Sequence, residues 1–260
     1  MRQCYFVFIL AVLPSLGRAA EYSDRASLGY SHQWISSASS GNQLWSALRH
    51  RFTEDWEALG KVTYLDRYGR GDGELGLGAI RLFDSGSSFR IETSFAPGAD
   101  VLPRFGTEVE LGVPIIRGLL GMVGIRYLSY SGAKAVVSSV GAELYLPNSF
   151  AISSRVFFSG NDFESPSGDR SSFNAWAGVL KLMYFFSDDA RIWVYHGSGT
   201  EGFLRTVPQE TASVKTVTNG GGAQFFFTKQ FGVEFNMDWQ ERGAALSRFV
   251  TSTYLLHYRW

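Results

Sequence analysis

Two residues in the C-terminal half of the chain have the spacing of a serine nucleophile and its base. His196 and Ser198 are two positions apart, so on a β-strand they point to the same side. A histidine beside a serine can accept the hydroxyl proton, and a polar third group that orients the imidazole would complete a hydrolase triad. Asn174, at the end of the preceding predicted strand, is the candidate third group. Because Ser198 also lies within Gly197-Ser198-Gly199, an ordinary turn is the competing interpretation.

Charged side chains form the second set of residues with functional potential. They recur at two-residue steps in several strand-like segments, on the face opposite the apolar side chains. Both signs occur on this face, so neighbouring strands can pair the charges, and no strong preference for one ionic sign is expected. Such a set can line a narrow polar channel, or it can form a self-neutralising plug that only stabilises the fold. Its members are Arg90, Glu92, Glu108, Glu110, Arg126, Glu143, Arg155, Lys181, Arg191 and Glu234, with Arg49, Arg51, Glu57, Lys61 and Asp238 by the same parity.

The last stretch of the chain, residues 249–260, indicates which kind of element carries these side chains. One face of this predicted strand is aromatic and apolar, and the other is polar and includes His257 and Arg259. A transmembrane β-strand needs about 10 residues with an apolar outer face, aromatic rings at the water interface and polar groups inside. The outer face ends on the terminal tryptophan, like the C-terminal insertion signal of bacterial outer-membrane proteins. The residues of this predicted signal are Tyr254, Leu256, Tyr258 and Trp260.

The rest of the chain divides into similar segments, which gives about 14 strands joined by alternately short and long connections. The longest predicted connections include residues 160–171 and 197–212. An even strand number with long loops on one side is typical of a single-chain outer-membrane barrel, and a sheet edge in hydrocarbon would leave backbone groups unpaired. The sequence therefore predicts an all-β fold, a transmembrane antiparallel up-and-down β-barrel. Segments 74–83 and 214–227 alternate least clearly, so 12 strands is the alternative count.

The N-terminus has the features of a secretory signal peptide. Arg2 provides the positive charge, residues 5–13 are apolar, and residues 17–19 form a small-x-small cleavage site. The apolar run is shorter than the roughly 20 residues that a transmembrane helix needs. We therefore expect residues 1–19 to be a signal peptide and residues 20–260 to be the outer-membrane β-barrel domain.

Composition excludes several classes of function for the mature chain. Removal of residues 1–19 takes away Cys4, the one cysteine, and two of the 24 basic residues, so 22 basic side chains remain against 24 acidic ones. No internal disulfide or thiolate metal site can then form. Near-neutral charge without a basic run argues against a nucleic-acid partner. No nucleotide-binding loop or metal-ligand spacing is present, so no cofactor is expected.

Several short segments resemble the YaiO-type outer-membrane β-barrel family. They are Gly29-Tyr30, the stretch 96–105, the strand Gly124 to Tyr127, and Trp193-Val194-Tyr195 followed by Gly197-Ser198-Gly199. The resemblance implies a barrel in the outer membrane of a Gram-negative bacterium. It implies little about activity, because the family is defined as membrane protein and not by a reaction.

Three functional hypotheses follow. The first is a narrow passive channel or export pore for small solutes or glycan, without enzymatic activity. The second is a phospholipase-like serine hydrolase that uses His196, Ser198 and Asn174, the arrangement found in outer-membrane phospholipases. The third is a structural or adhesion barrel. The expected partners are outer-membrane lipid, lipopolysaccharide and the barrel-assembly machinery, and the sequence does not indicate a ligand.

Overall fold

A computed structural model shows a closed barrel of 14 antiparallel strands. It describes residues 24–36, 40–67, 69–164, 170–204, 211–243 and 247–260. The predicted signal peptide lies outside these residues. The strands are β1 (Arg25–Ile35), β2 (Gly41–Arg51), β3 (Trp56–Arg67), β4 (Arg70–Leu82), β5 (Ser88–Phe95), β6 (Phe105–Ile116), β7 (Leu119–Tyr130), β8 (Ala133–Leu146), β9 (Phe150–Glu164), β10 (Arg170–Ser187), β11 (Ala190–Leu204), β12 (Thr211–Phe226), β13 (Phe231–Arg242) and β14 (Ser247–Arg259).

Each strand pairs with its neighbours in sequence, and the sheet closes between β1 and β14. The closing register runs from Arg25 opposite Arg259 to Ile35 opposite Phe249. Both weakly alternating segments are strands, β4 and β12, so the count is 14 and the alternative of 12 is wrong. The predicted fold class is confirmed.

Side-chain direction alternates along the strands, apart from register shifts between Pro114 and Ile116 on β6 and between Phe185 and Ser187 on β10. On β14 the side chains of Tyr254, Leu256 and Tyr258 are exposed on the outer wall, whereas His257 is 3% exposed inside the barrel. The predicted insertion-signal residues thus form one file on the outer wall. Tyr258 stacks on Trp260 with ring centroids 5.7 Å apart, and the Trp260 amide donates to the Asp24 carbonyl at 3.3 Å. This file therefore lies on β14 next to β1, where the barrel closes.

The connections at the end of the barrel that carries both termini are short turns, so we call it the periplasmic end and the opposite one the outer end. The strands extend further towards the outer end than the sequence predicts. The predicted loop 197–212 is wrong at both ends, because β11 continues to Leu204 and β12 begins at Thr211, and residues 205–210 lie outside the described residues. Likewise β9 continues to Glu164, inside the predicted loop 160–171. Among the described residues, no helix is long and apolar enough to cross a membrane.

Candidate functional site

The charged residues predicted for the lumen lie on the inward face of their strands, and many are paired. Glu108 and Arg126 sit opposite each other on β6 and β7, with the Arg126 Nε donating to Glu108 Oε2 at 2.6 Å. On β5, the Arg90 Nε donates to Glu92 Oε1 at 2.7 Å, two residues along the same face. Cross-strand and same-face pairing of this kind partly neutralises the lumen.

One ion pair reaches across two strands. Arg155 on β9 donates to Glu110 on β6, although β7 and β8 lie between them. The positions that separate the pair on this wall include Gly124, opposite Glu110, and Gly141, opposite Arg155, where an added β-carbon would lie 3.3 Å from the Arg155 Cβ. The lack of side chains there leaves room for the long arginine to lie along the wall.

Glu57 forms a two-arginine cluster at the periplasmic end. Its carboxylate is 2% exposed and accepts from Arg49 Nε at 2.5 Å and from Arg51 Nη2 at 3.0 Å. A buried carboxylate is stable only when it is paired and hydrogen-bonded in this way. The cluster therefore belongs to the structure of the barrel.

The wall formed by β8 to β14 carries most of the remaining predicted charges, and a buried apolar cluster fills part of its inner face. Met183 and Trp193 form a buried apolar cluster with Ala151. The Lys181 ammonium lies 4.9 Å from the centroid of the Trp193 ring, and the Arg191 guanidinium lies 5.8 Å from the same centroid. These contacts occupy the space in front of this wall. The Glu234 Oε2 lies 3.3 Å from the His257 Nε2. The Asn236 side-chain amide donates to the Asp238 carboxylate. Glu143 is buried on β8.

The connection from β5 to β6, residues 96–104, folds into the outer end of the lumen, and we call it the mouth loop. Ala96, Ala99 and Leu102 are buried in a cluster with Leu65 of β3. The Asp72 carboxylate accepts three backbone N–H groups of this loop, from residues 100, 101 and 102 at 3.1, 2.6 and 2.8 Å. An exposed ion pair between Arg70 and Asp100 adds a second attachment.

A cavity of about 410 Å³ runs along the wall formed by β1 to β7, and we call it the lumen cavity. Its lining begins at Arg25 and Arg49, near the periplasmic end, and reaches Leu102, Pro103 and Tyr130 at the outer end. The cavity therefore extends over the length of the strands. Between its ends it is lined by apolar side chains such as Leu59 and Leu128 together with polar and charged ones, among them Trp45, Lys61, Glu74, Arg90, Glu92, Thr93, Glu108 and Arg126.

Sequence reasoning missed several inward charges near the strand ends. The Gly-rich, charged stretch 67–73 has the composition of a loop and contains Arg67 and Asp72, although both are buried on the inner face. Arg25 and Glu74 were not recognised as lining residues, and both contribute to the lumen cavity. Extending the two-residue alternation past the predicted strand ends would have found Arg25, Arg67 and Asp72, and applying it to the weakly alternating segment 74–83 would have found Glu74.

The hydrolase candidates lie on the outer wall, and the structure brings together only some of them. The His196 Nδ1 is 2.8 Å from Asn219 Oδ1, because the register places these residues opposite each other on β11 and β12. Ser198 is on the same outward face but in a strand, not in a turn, and is paired in register with Gly178. Within the described residues no hydrogen bond joins the Ser198 hydroxyl to the His196 ring.

Asn174 is not positioned to orient His196. His196 pairs with Leu180 of β10, and Asn174 is six residues further along that strand, or about 20 Å at the usual strand rise. The polar partner that the structure gives to His196 is Asn219, which sequence reasoning did not consider because its strand pairing was hidden by the predicted long loop.

Comparison with known proteins settles the family. A family model described as the YaiO membrane beta barrel domain matches residues 23–202. The chain belongs to this family. The resemblance predicted from the sequence is thereby confirmed, and this YaiO protein is an outer-membrane β-barrel. No curated protein matches its sequence.

Solved structures similar to the YaiO barrel are outer-membrane proteins with low sequence identity. A bacterial polysaccharide outer membrane secretin has a TM-score of 0.60 at 8% identity, covering 93% of this chain and 100% of the other. The CymD monoaromatic hydrocarbon channel gives 0.58 at 9%, covering 93% and 89%. The NanC porin gives 0.57 at 10%, covering 90% and 100%. At this identity the likeness extends to the fold alone, which resembles that of porins and channels.

Proposed function

We propose that this YaiO protein is a narrow passive channel of the outer membrane for small polar solutes. The observation that carries the proposal is the lumen cavity, whose lining residues reach from Arg25 near the periplasmic end to Tyr130 at the outer end. A barrel of 14 strands lies between small barrels that side chains fill and larger porins that hold an aqueous channel. A conduit along one wall is consistent with that intermediate size.

The opposite wall supports a small size limit for the solute. Trp193, Met183 and Ala151 are packed tightly, so the space for passage lies on the side of β1 to β7. The mouth loop narrows this side further at the outer end, where Leu102 and Pro103 line the cavity. A volume of about 410 Å³ is in the range of pockets that hold single small molecules. These features favour small solutes over the export of a bulky glycan strand.

Liposome swelling tests the proposal directly. Liposomes that contain the purified barrel should swell in arabinose and glucose, more slowly in a disaccharide, and not in a large oligosaccharide. Equal rates for all sugars would contradict a narrow conduit. Absence of swelling in the smallest sugar would contradict the channel itself and leave a structural or adhesion barrel.

The second candidate is lipid hydrolysis at the outer wall, which the 2.8 Å contact between His196 and Asn219 favours. An asparagine orients the catalytic histidine in the Cys-His-Asn triads of papain-like proteases, so asparagine can take the role of the third group. In this hypothesis His196 would activate Ser198, and Asn219 would replace Asn174 as the third group. The test is release of fatty acid from phospholipid by purified protein. Ser198→Ala should abolish it, whereas Ser138→Ala, on the outer face of β8, should not.

We further propose that the mature chain resides in the outer membrane of a Gram-negative bacterium after export. Lipid and lipopolysaccharide would contact its apolar outer wall, and the barrel-assembly machinery would insert it. The aromatic file that ends at Trp260 supports this hypothesis, since such files act as recognition elements in the insertion signal that it resembles.

A further inference from the structure

We propose that the lumen cavity contains a binding site for zwitterionic amino acids with an aromatic or large apolar side chain. The site is formed by Lys61, Glu74 and Trp45. This inference deepens the proposed channel function, because it names the class of solute that the conduit would recognise. All three residues line the cavity on adjacent strands β2, β3 and β4.

Lys61 and Glu74 supply opposite charges that are not joined to each other. Both side chains point inward, and neither forms a hydrogen bond or an ion pair in the described part of the chain. Both residues line the lumen cavity on the neighbouring strands β3 and β4. Other charges that line this cavity are already paired: Arg90 with Glu92, and Arg126 with Glu108.

Strand register places the two charges diagonally opposite each other. Thr63 on β3 lies opposite Glu74, whereas Lys61 lies opposite Gly76. Lys61 and Glu74 are therefore diagonal neighbours, with Cα atoms about 7–8 Å apart. A group that carries both an ammonium and a carboxylate can bridge such a gap, its carboxylate accepting from Lys61 and its ammonium donating to Glu74.

Trp45 of β2 supplies an apolar surface on the same inner wall as the charges. Thr63 lies opposite Trp45 on β2, so the ring is in the same cross-strand row as Glu74 and is a diagonal neighbour of Lys61. The indole lies across Gly29 of β1, on the side of β2 away from Lys61 and Glu74, and any β-carbon at Gly29 would collide with the ring. The ring is thus held against the wall while it remains part of the cavity lining. A flat indole in this position can contact the side chain of a bound amino acid.

Calorimetry with a matched ligand series tests the site on the folded, purified barrel. L-Phenylalanine should bind, and three probes that each lack one feature should bind at least about tenfold more weakly, because each leaves a charged or apolar group without its partner. These probes are 3-phenylpropionate without the ammonium, phenethylamine without the carboxylate, and glycine without the ring. Equal affinity for phenylalanine and for either singly charged probe would overturn the proposal, as would the absence of phenylalanine binding.

Substitutions assign the roles independently. Lys61→Met should weaken phenylalanine binding about tenfold and leave phenethylamine binding nearly unchanged, because phenethylamine has no carboxylate. Glu74→Gln should weaken the binding of phenylalanine and phenethylamine, and it should leave phenylpropionate binding nearly unchanged, because phenylpropionate has no ammonium. Trp45→Leu should reduce the difference between phenylalanine and glycine. Lys134→Met, on the outer wall, is the matched control and should change nothing. If Lys61→Met and Glu74→Gln bind all four ligands like the wild type, the site is wrong.

The calorimetric result separates this inference from the channel function. Binding of phenylalanine without solute passage would refute the channel and retain the site. Solute passage without phenylalanine binding would refute the site and retain the channel.

Discussion

Replacement of Asp72 by alanine should release the mouth loop and widen the outer end of the lumen. The Asp72 carboxylate is 6% exposed and holds residues 100, 101 and 102 through three backbone N–H groups at 2.6 to 3.1 Å. A hydrogen bond to a charged group contributes about 1.5–3 kcal/mol. The freed N–H groups can bond to water at the mouth, so the loss should be smaller than the sum of three bonds. We expect the free energy that holds the mouth loop in its inward conformation to fall by about 3 kcal/mol. The population of the inward loop conformation should then fall about 100-fold relative to other conformations.

The assay combines limited proteolysis with single-channel recording. In Asp72→Ala the loop should be cut near Arg104 much faster than in the wild type, and the conductance should rise or fluctuate between two levels. Asp100→Ala is the matched control, because it removes an exposed ion pair with Arg70 worth about 0–1 kcal/mol and keeps the three backbone bonds. Its proteolysis rate and conductance should stay close to wild type. If Asp72→Ala and the wild type were indistinguishable in both assays, the carboxylate would not hold the loop.

Three further predictions concern the wall, the insertion signal and the N-terminus. Val62→Arg, at an outward position of β3, should lower the free energy of unfolding in lipid by about 2–4 kcal/mol. Ser153→Arg, on the inner face of β9, should lower it clearly less. Equal losses of unfolding free energy in urea titrations would contradict the assigned faces. Trp260→Asp should block assembly, and a normal heat-modifiable, protease-resistant barrel from this variant would refute the insertion signal. Mass spectrometry of the membrane-extracted protein should find Ala20 as the first residue, and an intact Met1 would show that no signal peptide is removed.

Much of the architecture was predictable because a strand in the bilayer must alternate apolar side chains outward with polar ones inward. The alternation around Tyr258 and His257 places one side chain in lipid and the other inside, and the same parity identified the inward face of Arg126 and Arg155. Strand ends were less predictable, because polar residues such as Asp72 near the water interface look like loop residues. Their inward direction becomes clear only once the strand is extended past the apolar segment.

Contacts between strands could not be read from the sequence. The Arg155–Glu110 pair spans two intervening strands, so it depends on the shear and closure of the whole barrel. The pairing of His196 with Asn219 depends on the register of β11 and β12, which a predicted long loop obscured. The inward fold of the mouth loop depends on a carboxylate from another strand. Each of these features is set by long-range geometry and not by local spacing.

Single-channel recording in a planar bilayer tests the central claim, passive conduction through the lumen cavity, most directly. Purified wild-type protein should give discrete current steps, and both His196→Ala and Ser198→Ala should give steps of the same size, because those residues lie on the outer wall. The absence of steps from correctly folded barrel would contradict the channel, most clearly if the same preparation released fatty acid from phospholipid in a manner that depended on Ser198.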